Sequence, residues 1–126
     1  ITTVEIDPAV IQIAQKYFFV SNPRHKIVQG DGFDVLKREP GKYDVIWVDI
    51  HSPKEGPTEF VRPEYLDALR DHLSPGGILV LVSPLEGREP DGWESILGER
   101  FALIADEVVN EPFRPYQVSI FADRAA

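Results

Sequence analysis

The chain has 126 residues, 43% of them hydrophobic and 27% charged, which suits one domain with a buried core. Its net charge of −8 comes without any block of Lys and Arg, which argues against a partner read through its phosphate backbone. Cysteine is absent, so disulfides, thiolate metal sites and cysteine nucleophiles are excluded. His25, His51 and His72 are scattered without metal-ligand spacing, so no metal is expected. The longest apolar run, residues 78–82, is far too short to span a bilayer, and a cytoplasmic location is the default expectation. No methionine occurs, and the chain opens at Ile1 directly into a strand-like run. That is the pattern expected of an internal piece of a longer protein.

Residues 1–6 (ITTVEI) are rich in β-branched side chains and are bounded by Asp7-Pro8, which predicts a strand. Asp7 suits a helix N-cap and Pro8 the first helical position. The helix is expected to reach about residue 19, with Val10, Ile11, Ala14, Tyr17 and Phe18 as one apolar stripe. Ser21-Asn22-Pro23 ends it. A short strand over 25–29, a Gly30-Asp31-Gly32 turn and a short helix over 33–37 follow, closed by Pro40-Gly41.

Residues 43–50 (YDVIWVDI) form a nearly continuous apolar run, the pattern of a strand buried on both faces of a parallel sheet. Tyr43 and Trp47 are therefore expected in the core. After a polar loop over 52–62, Pro63 opens a helix with Tyr65, Leu66, Leu69 and Leu73 on one side. Ser74-Pro75-Gly76-Gly77 reads as the helix stop and turn rather than a phosphate loop. An apolar strand over 78–83, a weak helix over 91–98 and two closing strands over 101–109 and 116–122 complete the chain. The alternation predicts an α/β fold with a doubly wound, mostly parallel sheet. The last two strands lack a helix between them and are expected as an antiparallel pair at one edge.

Ligands of open α/β sheets sit beyond the carboxyl ends of the strands. Acidic residues recur there: Glu5 and Asp7 after the first strand, Asp31 after the second and Asp49 after the third. A carboxylate so placed can accept two hydrogen bonds from vicinal ribose hydroxyls, or one from an exocyclic amine such as that of adenine. Asp7 is accounted for by capping, and Asp31 has a competing role in its turn. Glu5 and Asp49 are harder to explain structurally. Asp49 interrupts an apolar run where the strand should be buried, and an unpaired carboxylate there is costly. Asp44 is expected to be solvated and His51 to be a loop residue. The G-x-G-x-x-G of dinucleotide-dependent oxidoreductases does not occur.

In this order and spacing the segments resemble the spermidine synthases and their relatives among the class I S-adenosylmethionine-dependent methyltransferases. Val4-Glu5-Ile6-Asp7-Pro8, followed by Val10-Ile11, resembles the family's second-strand motif, and Gly30-Asp31-Gly32-Phe33 its third-strand motif. Tyr43-Asp44-Val45-Ile46-Trp47-Val48-Asp49 resembles the fourth-strand motif. Gly56-Pro57-Thr58-Glu59-Phe60 and Leu73-Ser74-Pro75-Gly76-Gly77-Ile78-Leu79 continue the likeness. The resemblance implies a Rossmann-like transferase domain that uses S-adenosylmethionine or its decarboxylated analogue. It implies that Glu5 binds the ribose hydroxyls, that Asp31 accepts from the adenine amine, and that Gly32 lies close to the ring. Asp49 would orient, and help deprotonate, the attacking nucleophile.

The departures bear on the reaction. Where spermidine synthases carry a second aspartate before Pro, this chain has Ser52 before Pro53, so one anchor for a cationic amine is replaced by a weak substrate contact. Their late Pro-Thr-Tyr segment is replaced by Pro112-Phe113-Arg114-Pro115-Tyr116. Methyl transfer is therefore favoured over aminopropyl transfer. A true polyamine aminopropyltransferase and a non-catalytic nucleoside-binding or assembly module are the alternatives. The expected acceptor is a small molecule or a protein. The family's first strand and Gly-rich turn precede the first motif and are not in this chain. That segment is expected to be lost, supplied by another chain, or replaced by direct pairing of the strands ending at Glu5 and Asp49. An open sheet edge there would favour self-association.

Overall fold

The computed structural model describes residues 1–18, 22–50, 62–84, 93–112 and 115–124. Two compact units divide the chain, Ile1–Pro40 and Gly41–Ala126. In the first, β1 (Thr2–Glu5), α1 (Pro8–Tyr17), β2 (Lys26–Gln29) and α2 (Gly32–Arg38) form a βαβα unit. β1 and β2 pair in parallel from Thr2↔Lys26 to Glu5↔Gln29. α1 starts where capping chemistry dictates: Asp7 Oδ1 accepts from the Ala9 N–H at 2.8 Å, and Pro8 needs no donor partner in the first turn. The expected apolar stripe is split. Ile11 and Ala14 are half-buried, whereas Val10, Tyr17 and Phe18 are exposed.

The second unit holds β3 (Tyr43–Val48), α3 (Pro63–His72), β4 (Leu73–Pro84), α4 (Trp93–Gly98), β5 (Phe101–Val109) and β6 (Tyr116–Asp123). Its sheet order is β3-β4-β6-β5. β3 pairs with β4 in parallel, and β6 runs antiparallel to both β4 and β5. The closing strands form the expected antiparallel pair at one edge, with β6 beside β4 and β5 outermost, so that β6 alone runs against the others. Strands joined by a connection this short pair antiparallel, as β5 and β6 do, whereas β4 and β5 are linked through α4 and run in the same direction.

α3 gives way to β4 at Leu73, without the four-residue stop expected at Ser74-Pro75-Gly76-Gly77. Those residues lie within β4, where the ladder jumps from Tyr43↔Leu73 to Val45↔Ile78. The bulge explains both glycines. Gly76 has φ 78°, and a Cβ at Gly77 would stand 2.9 Å from the Ser74 carbonyl and 3.0 Å from that of Tyr43.

Register places Ile46, Leu79 and Phe121 in one row and Val48, Leu81 and Ser119 in the next, all on one sheet face. α3 packs on β4 and brings Tyr65, Leu66 and Leu69 into this core, which Leu97 and Phe101 complete. Val45 and Trp47 point to the opposite face, and Trp47 is 62% exposed. Burial of β3 on both faces, with Trp47 in the core, is thus not observed. Arg100 closes the unit: its Nε donates to Asp67 Oδ1 at 2.8 Å and its Nη2 to Oδ2 at 3.4 Å, linking α3 to the start of β5. This hydrogen bond holds the Asp67 carboxyl below its ordinary range and raises the Arg100 guanidinium above its own.

β1 keeps its ladder with β2 and β3 keeps its ladder with β4, in separate sheets.

Candidate functional site

Glu5 is the last residue of β1 and is half-buried. Its main-chain carbonyl accepts from the Gly30 N–H at 3.0 Å, which fastens the end of β1 to the turn that leaves β2. Its side chain is fastened too, because Oε1 accepts from the Asp7 N–H at 2.8 Å. Asp31 lies two residues beyond Gln29, the register partner of Glu5. It is the N-cap of α2, with Oδ1 accepting from the Phe33 N–H at 2.9 Å and the Asp34 N–H at 3.1 Å. Gly32 is the first residue of that helix. The ends of two parallel neighbours therefore bring Glu5, Asp31 and Gly32 to one edge of the first unit.

The chemistry follows from which oxygens are engaged. Each carboxylate uses one oxygen to hold local backbone amides. Glu5 Oε2 and Asp31 Oδ2 meet no donor among the described residues. Two acceptors fixed in this way at adjacent strand ends suit a ligand that offers hydroxyl and amine hydrogens on one side, as a nucleoside does. The role of Asp31 in its own turn and its availability to a ligand are thus compatible, since they use different oxygens.

Asp49 belongs to the second unit and follows the last residue of β3. It is exposed, so the argument from a costly buried carboxylate does not apply to it. Its place at the carboxyl end of a parallel strand is as expected. Ser52, His51 and the 56–60 motif lie outside the described residues, as do Phe113 and Arg114. Among the described residues no group of three or more His, Asp or Glu could hold a metal ion, and no helix is long and apolar enough to cross a membrane.

Reasoning from the sequence set Asp7 aside as a cap and missed that its backbone N–H holds Glu5. The signal was local and available, in an acidic residue two positions before an N-cap. It also missed the Asp106 carboxylate, which accepts from Gln117 Nε2 at 2.7 Å and Ser119 Oγ at 2.9 Å across the β5–β6 pair. Cross-strand partners of this kind depend on register, which the sequence alone did not supply.

The spermine/spermidine synthase domain model matches residues 1–88. The chain belongs to that family. It is 34% identical over 105 residues to a polyamine aminopropyltransferase of Vibrio vulnificus, an alignment covering 76% of this chain and 35% of the relative. It is 38% identical over 87 residues to putrescine N-methyltransferase 3 of Nicotiana tabacum, covering 63% of this chain and 22% of the relative. The chain thus spans about a third or less of the length of these two relatives. Among solved structures it resembles human methyltransferase-like protein 13 in complex with SAH, with a TM-score of 0.75 and 26% identity over 94% of this chain and 59% of the other. The fold is therefore the Rossmann-like α/β fold of these methyltransferases, and the chain is a spermidine synthase-like domain on that fold.

Proposed function

We propose that this domain binds S-adenosylmethionine or its decarboxylated analogue and serves a transferase, with methyl transfer favoured over aminopropyl transfer. The observation that supports it best is the pair of oriented carboxylates, Glu5 and Asp31, at adjacent parallel strand ends in a chain of this family. In this reading Glu5 Oε2 accepts from the ribose hydroxyls, Asp31 Oδ2 accepts from the adenine amine, and Gly32 allows the ring to approach the backbone. When bound, such a nucleoside supplies a carbon made electrophilic by its sulfonium neighbour. Asp49 orients the incoming nucleophile of a small molecule or protein acceptor and accepts its proton.

The preference for methyl transfer rests on Ser52, which offers a neutral hydroxyl where the polyamine-using members carry a second carboxylate. The likeness to a putrescine N-methyltransferase fits a methyl group delivered to an amine. Glu5→Gln separates the binding role from a structural one. Its amide oxygen still accepts from the Asp7 N–H, while its amide NH2, a donor, replaces the second acceptor oxygen. Calorimetric titration with S-adenosylhomocysteine should show affinity lowered roughly tenfold or more, with the melting temperature nearly unchanged. A large loss of stability with unchanged affinity would make Glu5 structural and remove the nucleoside reading. For Asp49→Asn, turnover should fall about a hundredfold or more with little change in nucleoside affinity, and equal turnover would remove Asp49 from the mechanism.

A further inference from the structure

We infer that Asp7 is a positioning residue for Glu5, acting through its own backbone rather than by touching a ligand; this rests on the nucleoside reading above. Two residues, Ile6 and Asp7, separate the end of β1 from the start of α1, and Asp7 joins the two through opposite ends of itself. Its N–H donates back to Glu5 Oε1 at 2.8 Å, while its Oδ1 accepts forward from the Ala9 N–H at 2.8 Å. Its carbonyl accepts from the Ile11 N–H at 3.2 Å. Pro8 follows and fixes the next backbone angle. Asp7 is thereby clamped in an extended conformation, φ −89° and ψ 113°, and the direction of its N–H is set by that clamp.

The consequence falls on Glu5. A glutamate on an exposed turn has three rotatable bonds and loses their freedom on binding a ligand. Here the Asp7 N–H fixes one carboxylate oxygen before any ligand arrives, and the other meets no donor among the described residues. The cap of α1 and the preorganisation of the ribose acceptor are therefore one device. A role confined to capping would make the helix start more stable and leave the carboxylate indifferent.

The two roles come apart in substitutions, because glycine is tolerated at an N-cap nearly as well as the preferred polar residues but offers no side-chain clamp. In the full chain, Asp7→Gly should bind S-adenosylhomocysteine about fivefold more weakly with a nearly unchanged melting temperature, and Asp7→Ala should lose both affinity and stability. Asp7→Ser and Asp7→Asn restore the acceptor and should bind within about twofold of the parent. Asn22→Ala is the control: it removes another local bond of the same unit, from the Arg24 N–H to Asn22 Oδ1 at 2.9 Å, without touching Glu5. It should leave affinity unchanged.

A ligand-free readout runs alongside. Amide exchange at position 7 should accelerate in Glu5→Ala, in Asp7→Gly and in Asp7→Ala, but not in Asp7→Ser. Affinity in Asp7→Gly equal to the parent's overturns the inference, as does an equal loss in Asn22→Ala. Failure of the parent itself to bind the nucleoside is a different result, and it removes the nucleoside reading together with this inference.

Discussion

In Gly41–Ala126 the apolar rows of the sheet are closed by α3 and α4, and Leu66, Leu69, Leu79, Leu81 and Phe101 are almost wholly removed from water. In Ile1–Pro40 Val35 is the one described hydrophobic residue that is buried, while Val10, Ile13, Tyr17 and Phe18 of the α1 region are exposed. Both units are built from strands followed by helices. They differ in how much sheet there is for a helix to cover: four strands in the second unit and two in the first. An isolated strand pair has little independent stability. The first unit is held instead by short polar devices, the Asp7 and Asp31 caps and the Glu5–Asp7 hook. The proposed nucleoside acceptors are members of those same devices. The part of the molecule richest in ligand chemistry is thus the part with the smallest core, as is common for binding elements.

The largest expected effect tests the core side of this contrast. Phe101 is 1% exposed at the start of β5. Phe101→Ala should lower unfolding free energy by roughly 3–5 kcal/mol, measured by urea denaturation followed by circular dichroism. A loss below about 1 kcal/mol would show that the second unit is not the stable body its burial implies.

What was legible in the sequence was what local chemistry decides. Asp7-Pro8 announced the start of α1 because cap and proline act within one turn, and the 101–109 strand was read with its observed bounds. The carboxylates at the ends of β1, β2 and β3 were found for the same reason, since a strand end is marked by its own neighbours. What was not legible depends on distant partners. Gly77 is required by the carbonyls of Tyr43 and Asp44 on another strand as well as by that of nearby Ser74, whereas its sequence neighbours suggested only a helix stop. Trp47 sits in an apolar run, and nothing in that run says which face another layer covers. The position of β6 between β4 and β5 follows from pairing, which composition does not encode. Asp67 and Arg100 stand 33 positions apart, and no pattern in either segment joins them.

The Asp67–Arg100 pair gives a smaller effect with a definite pH dependence. The carboxyl of Asp67 titrates below its ordinary value of 3.8 in the folded chain because Arg100 donates to its ionised form. Its contribution is therefore fully present above the unfolded value and is lost as pH falls through the lower folded value. Asp67→Asn should be less stable than the parent at neutral pH by up to about 1 kcal/mol, since Asp67 is 43% exposed and water screens the pair. The difference should shrink as denaturation is repeated below pH 3.8. A difference that grows with acid would contradict the direction of the shift.

The smallest expected effect belongs to the first unit. Ile13 is 51% exposed on α1, next to the half-buried Ala14. Ile13→Gln keeps a good helix former and removes apolar surface that already meets water, so stability should change by no more than about 0.5 kcal/mol. The same substitution is informative if it does more. A loss above about 1.5 kcal/mol would mean that this face of α1 is covered in solution, because an exposed side chain has no burial to lose. Repeating the measurement over a range of protein concentrations then separates the possible covers: a loss that appears only at high concentration comes from association between copies, and a constant loss comes from packing within one chain.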